Sequence, residues 1–228
     1  MKPIKIVLSL GILCAINVSD AEAALLSRAN GTMVYDSDLN ITWVADASLF
    51  KTQFDQDPTL VNRLINNIGS VADSDYGSHL LVQDDFRVAQ FGLATWWGAQ
   101  AWVANLNYGG FSDWRLPGTA SNANSGYNQT TSELGHLFYD ELGGTALNPI
   151  SVAHNENFAL FTNVKSAVYW SGNETESSLV VEPYPGYAWN FNTHDGYQNA
   201  FHLKDNQFIP WAVRSGDITN LPLPAPIC

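Results

Sequence analysis

Cysteine and positive charge are both scarce in this chain of 228 residues. Only Cys14 and Cys228 are present, too few for the disulfide framework of a small secreted scaffold. Lysine and arginine number 10 against 22 aspartates and glutamates, which gives a formal charge of −12. Because a strongly negative surface repels phosphate and sulfate polyanions, this charge argues against non-specific binding of nucleic acid or heparin-like polymers.

Aromatic residues, in contrast, are plentiful: 8 Trp, 9 Tyr and 11 Phe. So many large apolar rings would not stay solvated, which excludes a disordered chain. A chain of this length buries about 70% of its unfolded surface, and this predicts one sizeable core or at most two small ones. Packing without disulfides is expected to stabilise the fold.

The N-terminus has the pattern of a secretory signal peptide. Lys2 and Lys5 precede an apolar run that ends before Ala21 and Ala23. The run is too short to remain as a membrane anchor, and the two alanines fit a signal peptidase. We therefore predict export, with cleavage after Ala23, to the cell surface or the medium. Removal of residues 1–23 takes away two lysines and two acidic residues, so the charge stays at −12.

A single domain is predicted for residues 25–218, followed by an extended tail at 219–228. Prolines alternate with other residues in this tail, which prevents regular backbone pairing. The tail resembles the proline-rich opening of a PEP-CTERM sorting signal, and the apolar helix and basic end that complete such a signal do not follow in this chain.

Residue patterns predict helices in the first half of the domain and antiparallel strands in the second, which together indicate an α+β fold. Residues 69–94 are expected to be turn-rich, and residues 118–129 to form a surface loop. The predicted elements are a hairpin at 32–44, helices at 60–68, 96–106 and 132–142, and aromatic strands at 168–170, 187–191, 198–203 and 211–214.

Six blocks of sequence carry a family resemblance that covers nearly the whole domain. The blocks are 34–43, 97–102, 110–117, 132–139, 169–172 and 211–217. Together, and in this order, they resemble the Lcl C-terminal domain family, in particular its exported members with PEP-CTERM tails. The resemblance implies a C-type-lectin-like α+β fold, in which helices flank a small twisted antiparallel sheet and long loops carry binding.

Two departures limit what the resemblance implies. The adhesin for which the family is named is associated with sulfated glycosaminoglycans, which need a basic surface, whereas this chain is acidic. Some relatives also place a cysteine pair around the loop 118–129, and this chain has none there. We therefore expect no sulfated ligand and a more mobile loop.

The block Trp114-Arg115 is the most characteristic of the six. A guanidinium packed beside an indole needs a carboxylate partner, and Glu133 at the start of the next helix is the natural candidate. Arg214 is expected to pair in the same way with Asp217 or a buried carboxylate. A structural role is predicted for Trp114, Arg115, Glu133, Trp170 and Arg214.

Residues 171–196 combine carboxylates, amides and aromatic rings, the groups that hold calcium and sugars in lectins. The lectin pattern itself is missing, since no amide follows Pro183 and no acid follows Asn190. An aromatic core with decorated loops is the alternative. The hypothetical ligand-binding residues are Glu182, Tyr187, Trp189, Asn190, Asn192 and Asp195.

The remaining acidic segments and the histidines give no catalytic pattern. Residues 36–40 imitate the start of a calcium loop but lack its later glycine and glutamate, so a hairpin turn is favoured. Residues 73–75 and 84–85 are expected to be solvated loop charges. The five histidines show no metal-ligand spacing, and His136 is expected to be a packed or half-buried ring.

These observations favour a non-enzymatic, exported bacterial domain that binds a glycan or another matrix component at the cell surface. The alternative is a structural or assembly protein that self-associates or is bridged by divalent cations. A hydrolase that uses Glu174 or Glu182 is the least favoured interpretation. No cofactor is expected and calcium is left open. No nucleic-acid partner and no membrane span in the mature chain are expected, while an oligomer is left open.

Overall fold

The computed structural model describes residues 25–175 and 186–218. The predicted signal peptide, the proline-rich tail and Glu182 lie outside the described residues. Within those residues, no helix has the length and apolar character needed to cross a membrane.

The described chain is a mixed α+β structure of small antiparallel sheets and short helices. Its strands are β1 (Leu25–Arg28), β2 (Met33–Asp36), β3 (Ile41–Val44), β4 (Ser70–Asp73), β5 (Gly77–Leu80), β6 (Phe86–Arg87), β7 (Leu93–Ala94), β8 (Val168–Glu174), β9 (Tyr187–Asn192), β10 (Tyr197–Leu203) and β11 (Val213–Ser215). Its helices are α1 (Leu49–Gln56), α2 (Leu60–Ile68), α3 (Val88–Phe91), α4 (Trp96–Ala104) and α5 (Glu133–His136), the last running into a π-helical turn, Leu137–Glu141.

Two sheets organise the fold. The larger has four antiparallel strands in the order β1-β2-β3-β11, so the last strand closes against the first hairpin. The smaller has the order β10-β9-β8, with β9 in the centre. The β2–β3 hairpin is therefore present, as are the predicted aromatic strands of the second half. The fourth of these strands begins at Val213, later than predicted, and is only three residues long.

Capping residues place the helix ends where the sequence predicts them. The α2 helix ends at Gly69, which has φ +72°, a conformation that favours glycine. The Thr95 side chain accepts a hydrogen bond from the Gly98 amide at the start of α4, and the Ser132 side chain accepts one from the Gly135 amide at the start of α5. These caps satisfy amides that have no partner within the helix.

Tryptophans fill two adjoining hydrophobic cores. One core surrounds α4, which buries most of its residues, including Trp97 at 5% exposure, while Gln100 is half-buried and Ala104 is exposed. A Cβ on Gly98 would lie 2.7 Å from the Asp85 carbonyl oxygen, so glycine lets α4 approach its neighbour closely. The second core, under the larger sheet, contains Trp43 and Trp211 in edge-to-face contact at 5.2 Å.

The stretch 69–94, predicted to be turn-rich, contains regular elements that the sequence patterns do not predict. This stretch contains the β4–β5 hairpin, the two-residue strands β6 and β7, and helix α3. Most residues of β4 and β5 are exposed or half-buried, so these strands lack the alternation of apolar and polar residues by which strands are predicted. Helix α1 was also absent from the prediction.

Candidate functional site

A polar groove of about 500 Å³ opens between the segment 115–120 and the start of α5. Apolar contacts come from Leu39 at the tip of the β2–β3 hairpin and from Leu116. Side chains with hydroxyl or amide groups also line it, namely Gln100, Thr119, Thr130, Thr131, Ser132 and Asn173.

The Arg115–Glu133 pair forms one wall of this groove. Arg115 donates from Nη1 and Nη2 to the two Glu133 oxygens, both at 2.7 Å, and the Gly118 amide donates to Glu133 Oε2 at 2.6 Å. The pairing predicted from the sequence is therefore present. The predicted burial of Arg115 beside Trp114 is wrong, because 39% of the Arg115 side chain is exposed, at the groove wall.

Hydrogen bonds hold the amides of the groove in place. Asn173 Oδ1 accepts from the Thr119 amide at 2.7 Å, and Gln100 Nε2 donates to the Gly172 carbonyl at 2.9 Å. Each contact occupies one end of the amide group. Asn173 Nδ2 and Gln100 Oε1 have no hydrogen-bond partner among the described residues, so both can bond a ligand.

A buried cluster near the groove begins with Asp36, at the end of β2. Asp36 is fully buried, and its Oδ1 accepts from the amides of Asp38 and Leu39, both at 3.0 Å. This is the hairpin turn that the sequence predicts for residues 36–40. Because Leu39 also lines the groove, Asp36 fixes the loop that forms the groove edge.

His136 stands between carboxylates on both sides of its ring. Its Nε2 lies 3.2 Å from Glu141 Oε1 and 3.8 Å from Asp36 Oδ2, while its Nδ1 lies 3.0 Å from Asp140 Oδ2. The hydrogen bond to Glu141 raises the pKa of His136, against the opposing effect of burial, and the charges of Asp36 and Asp140 add to the rise. Burial raises the pKa of the Asp36 carboxyl, because it disfavours the charged form.

The π-helical turn explains how two consecutive carboxylates reach one histidine. In an α-helix, at about 100° per residue, Asp140 would share a face with His136 but Glu141 would point about 140° away. The wider turn, closed by the Leu142 amide on the Leu137 carbonyl at 2.9 Å, brings Glu141 back to the His136 ring. Such turns are common at functional sites.

A second carboxylate cluster surrounds Lys204, whose side chain is fully buried. The Lys204 ammonium lies 3.2 Å from Asp73 Oδ2 and 2.9 Å from Asp75 Oδ2, and it also donates to Glu174. Asp73 accepts three more hydrogen bonds, from Trp97 Nε1 and from the amides of Asp75 and Tyr76. The prediction that residues 73–75 and 84–85 are solvated loop charges is therefore wrong for Asp73 and Asp85, which are 4% and 3% exposed.

The sequence-predicted ligand residues are spread along β9 and its following turn. Tyr187 stands at the start of β9 and Asn192 at its end, with half-buried Trp189 between them. Asn190 is buried, and its Oδ1 lies 3.1 Å from His202 Nδ1. Asp195 caps the β9–β10 turn by accepting from the Tyr197 amide at 3.0 Å. None of these described residues lines the polar groove.

The residues for which a structural role was predicted occupy several packing positions. Trp114 and Trp170 are buried, and their indole nitrogens donate to backbone carbonyls. Arg214 pairs with Asp113 at 2.9 Å and lies over the Phe111 ring. The Asp113 side chain is 56% exposed, so the predicted partner, Asp217 or a buried carboxylate, is wrong. Asp217 instead accepts two hydrogen bonds from Arg28, from Nε and Nη2, both at 2.8 Å.

Comparison with known proteins finds no relative of this chain. No protein-family profile matches the chain, and neither a curated protein nor a solved structure is similar to it.

Proposed function

We propose that this chain is an exported, non-enzymatic binding domain that takes a neutral glycan into the polar groove beside Arg115. The observation that carries the proposal is the composition of the groove: hydroxyl and amide side chains surround one closed ion pair. Groups of this kind exchange hydrogen bonds with sugar hydroxyls, while leucine side chains contact the apolar face of a ring. The proposed location is the bacterial cell surface or extracellular matrix.

Charge supports a neutral ligand. Arg115 and Glu133 are the charged residues among the described groove residues, and each satisfies the other through two hydrogen bonds. The groove therefore offers no unpaired cation to a sulfated or phosphorylated sugar. The overall charge of −12 disfavours such anions as well.

We further propose that the fold is C-type-lectin-like and that the chain belongs with the Lcl C-terminal domain family it resembles. Small antiparallel sheets flanked by helices support this assignment. The long segment 118–129, which borders the groove, also supports it. The Gly126 amide donates to the Gln198 carbonyl at 2.9 Å, which connects this loop to β10.

The test is a neutral-glycan array, followed by titration of the best sugar by calorimetry. We expect saturable binding that persists in EDTA, since the groove holds no cluster of carboxylates. In Gln100→Ala, affinity should fall roughly two- to tenfold, the effect of one neutral hydrogen bond. The matched control is Asn192→Ala, an amide of β9 outside the groove, which should bind like the wild type.

Three outcomes would contradict this function. One is the absence of binding to any neutral glycan at millimolar concentration. Another is an absolute requirement for calcium. The third is a loss of affinity in Asn192→Ala with none in Gln100→Ala, which would place the site on β9, as the sequence hypothesis had it.

A further inference from the structure

We propose that Asp36, His136 and Glu141 form a binding site for a divalent transition-metal ion of the zinc class. The three residues come from the end of β2, from α5 and from the π-helical turn, so they meet only in the folded chain. One ligand atom from each lies within 4.8 Å of the others. The site is separate from the groove, and its existence does not depend on what the groove binds.

Two carboxylate oxygens in the cluster lack any hydrogen-bond donor. Asp36 Oδ2 and Glu141 Oε2 are buried and have no hydrogen-bond partner among the described residues, in side chains that are 0% and 1% exposed. Buried carboxylates are normally paired or bound to a metal, because an uncompensated charge is costly to remove from water. The unpartnered Asp36 Oδ2 is the atom that faces His136 Nε2.

The spacing of the ligand atoms suits a tetrahedral ion. Atoms that are each about 2.1 Å from a tetrahedral zinc ion lie about 3.4 Å apart. His136 Nε2 is 3.2 Å from Glu141 Oε1 and 3.8 Å from Asp36 Oδ2, which brackets that value. The second Glu141 oxygen, also without a donor, provides a further ligand.

Asp140 supplies the supporting contact that metal-bound histidines usually have. Its Oδ2 lies 3.0 Å from His136 Nδ1, which favours the tautomer with the proton on that nitrogen. The lone pair of Nε2 is then available on the side of Asp36 and Glu141. An imidazole among the ligands suits zinc and its neighbours in the transition series, whereas calcium prefers ligands that are all oxygen.

The experiment measures zinc binding to the purified chain after treatment with EDTA, by calorimetry and by thermal unfolding. We expect one zinc per chain with a Kd in the micromolar range or below, and a Tm that rises with zinc concentration. Asp36→Asn and His136→Gln should each weaken binding at least tenfold. His154→Gln, which changes a histidine bonded to the Ile150 carbonyl outside the cluster, should bind like the wild type.

Cobalt provides a second readout that does not depend on stability. A four-coordinate site should give strong visible absorption bands with Co²⁺, and zinc should displace them. If the wild type binds no zinc at one per chain, the cluster holds a proton on His136 instead and the proposal is wrong. Zinc binding that persists unchanged in both Asp36→Asn and Glu141→Gln, each folded by circular dichroism, would overturn it equally.

Discussion

Three carboxylates surround Lys204 and three surround His136, but their negative charges are compensated in different ways. Around Lys204, the chain supplies its own cation, and hydrogen bonds from Trp97 and neighbouring amides complete the coordination of Asp73. Around His136, two buried oxygens remain without a donor. The first cluster is complete once the chain has folded, whereas the second retains capacity for a proton or an ion.

The largest expected effect comes from removing the resident cation of the first cluster. Lys204→Met keeps the length of the side chain but leaves buried Asp73 without its ion pair, which should lower the free energy of unfolding by about 3–5 kcal/mol. Urea denaturation at neutral pH measures it. Lys51→Met is the control, because the Lys51–Asp55 pair lies at the surface, and about 1 kcal/mol or less is expected.

A loss below about 1 kcal/mol in Lys204→Met would break the comparison, since by the same principle a buried pair should be costly to disrupt. Asp73 without its lysine would then cost as little as the carboxylate oxygens near His136 that lack a hydrogen-bond donor.

Acid pH should reduce the stability lost in Lys204→Met, because the pKa of Asp73 depends on Lys204. Burial tends to raise the pKa of Asp73, but hydrogen bonds from Trp97, the Asp75 amide and Lys204 outweigh it and hold the pKa below its usual value. In the wild type, this contribution to stability is present above the ordinary pKa of about 3.8 and is lost as pH falls through the lower, folded value.

Without Lys204, burial should raise the pKa of Asp73, so the folded variant binds a proton before the unfolded chain does. The stability gap between Lys204→Met and the wild type should therefore narrow by about 1–2 kcal/mol between pH 7 and pH 4.5. Urea titrations of both proteins at the two pH values measure the gap. A gap that stays constant or widens would show that Asp73 remains charged without its lysine.

Replacing one buried aspartate of each cluster by asparagine should change stability by different amounts. Asp73→Asn weakens charged hydrogen bonds and should cost about 2 kcal/mol. Asp36→Asn keeps an acceptor for the amides of Asp38 and Leu39 while removing a buried charge whose Oδ2 has no hydrogen-bond donor, so in EDTA stability should stay constant or rise by about 1 kcal/mol. If Asp36→Asn were the more damaging substitution, the view of Asp36 as undercompensated would be wrong.

The smallest effect is expected for Asp140→Asn. Asp140 is 47% exposed, so solvent screens its interaction with His136 and a few tenths of a kcal/mol is expected in the metal-free protein. Thermal unfolding in EDTA measures it. A loss above about 1 kcal/mol would show that Asp140 belongs to the buried part of the cluster.

Local features of the fold were predictable because their causes are local. Thr95 and Gly69 mark helix ends through a cap and a backbone conformation that depend on a few neighbouring residues. The hairpin turn at 36–40 follows from the same kind of interaction.

The clusters were not predictable, because tertiary packing assembles them. Asp73 and Lys204 are far apart in the sequence, and no periodic pattern connects β4 with the end of β10. His136 and Asp140 have the spacing of an i, i+4 helical pair, which the sequence does show. The contribution of Glu141 depends on a π-helical turn, and that of Asp36 on packing of the hairpin against α5, neither of which residue spacing reveals.

The π-helical turn has a consequence for how such a site can arise or disappear. Substitutions change side chains one at a time, but deletion of one residue between His136 and Glu141 would place the glutamate at the ordinary i+4 position and shift every later residue by about 100°. Insertion of one residue into an α-helix does the reverse. The geometry of this cluster is therefore set by the length of the chain between two residues, and it can be gained or lost in a single insertion or deletion event without any change in the ligand residues themselves.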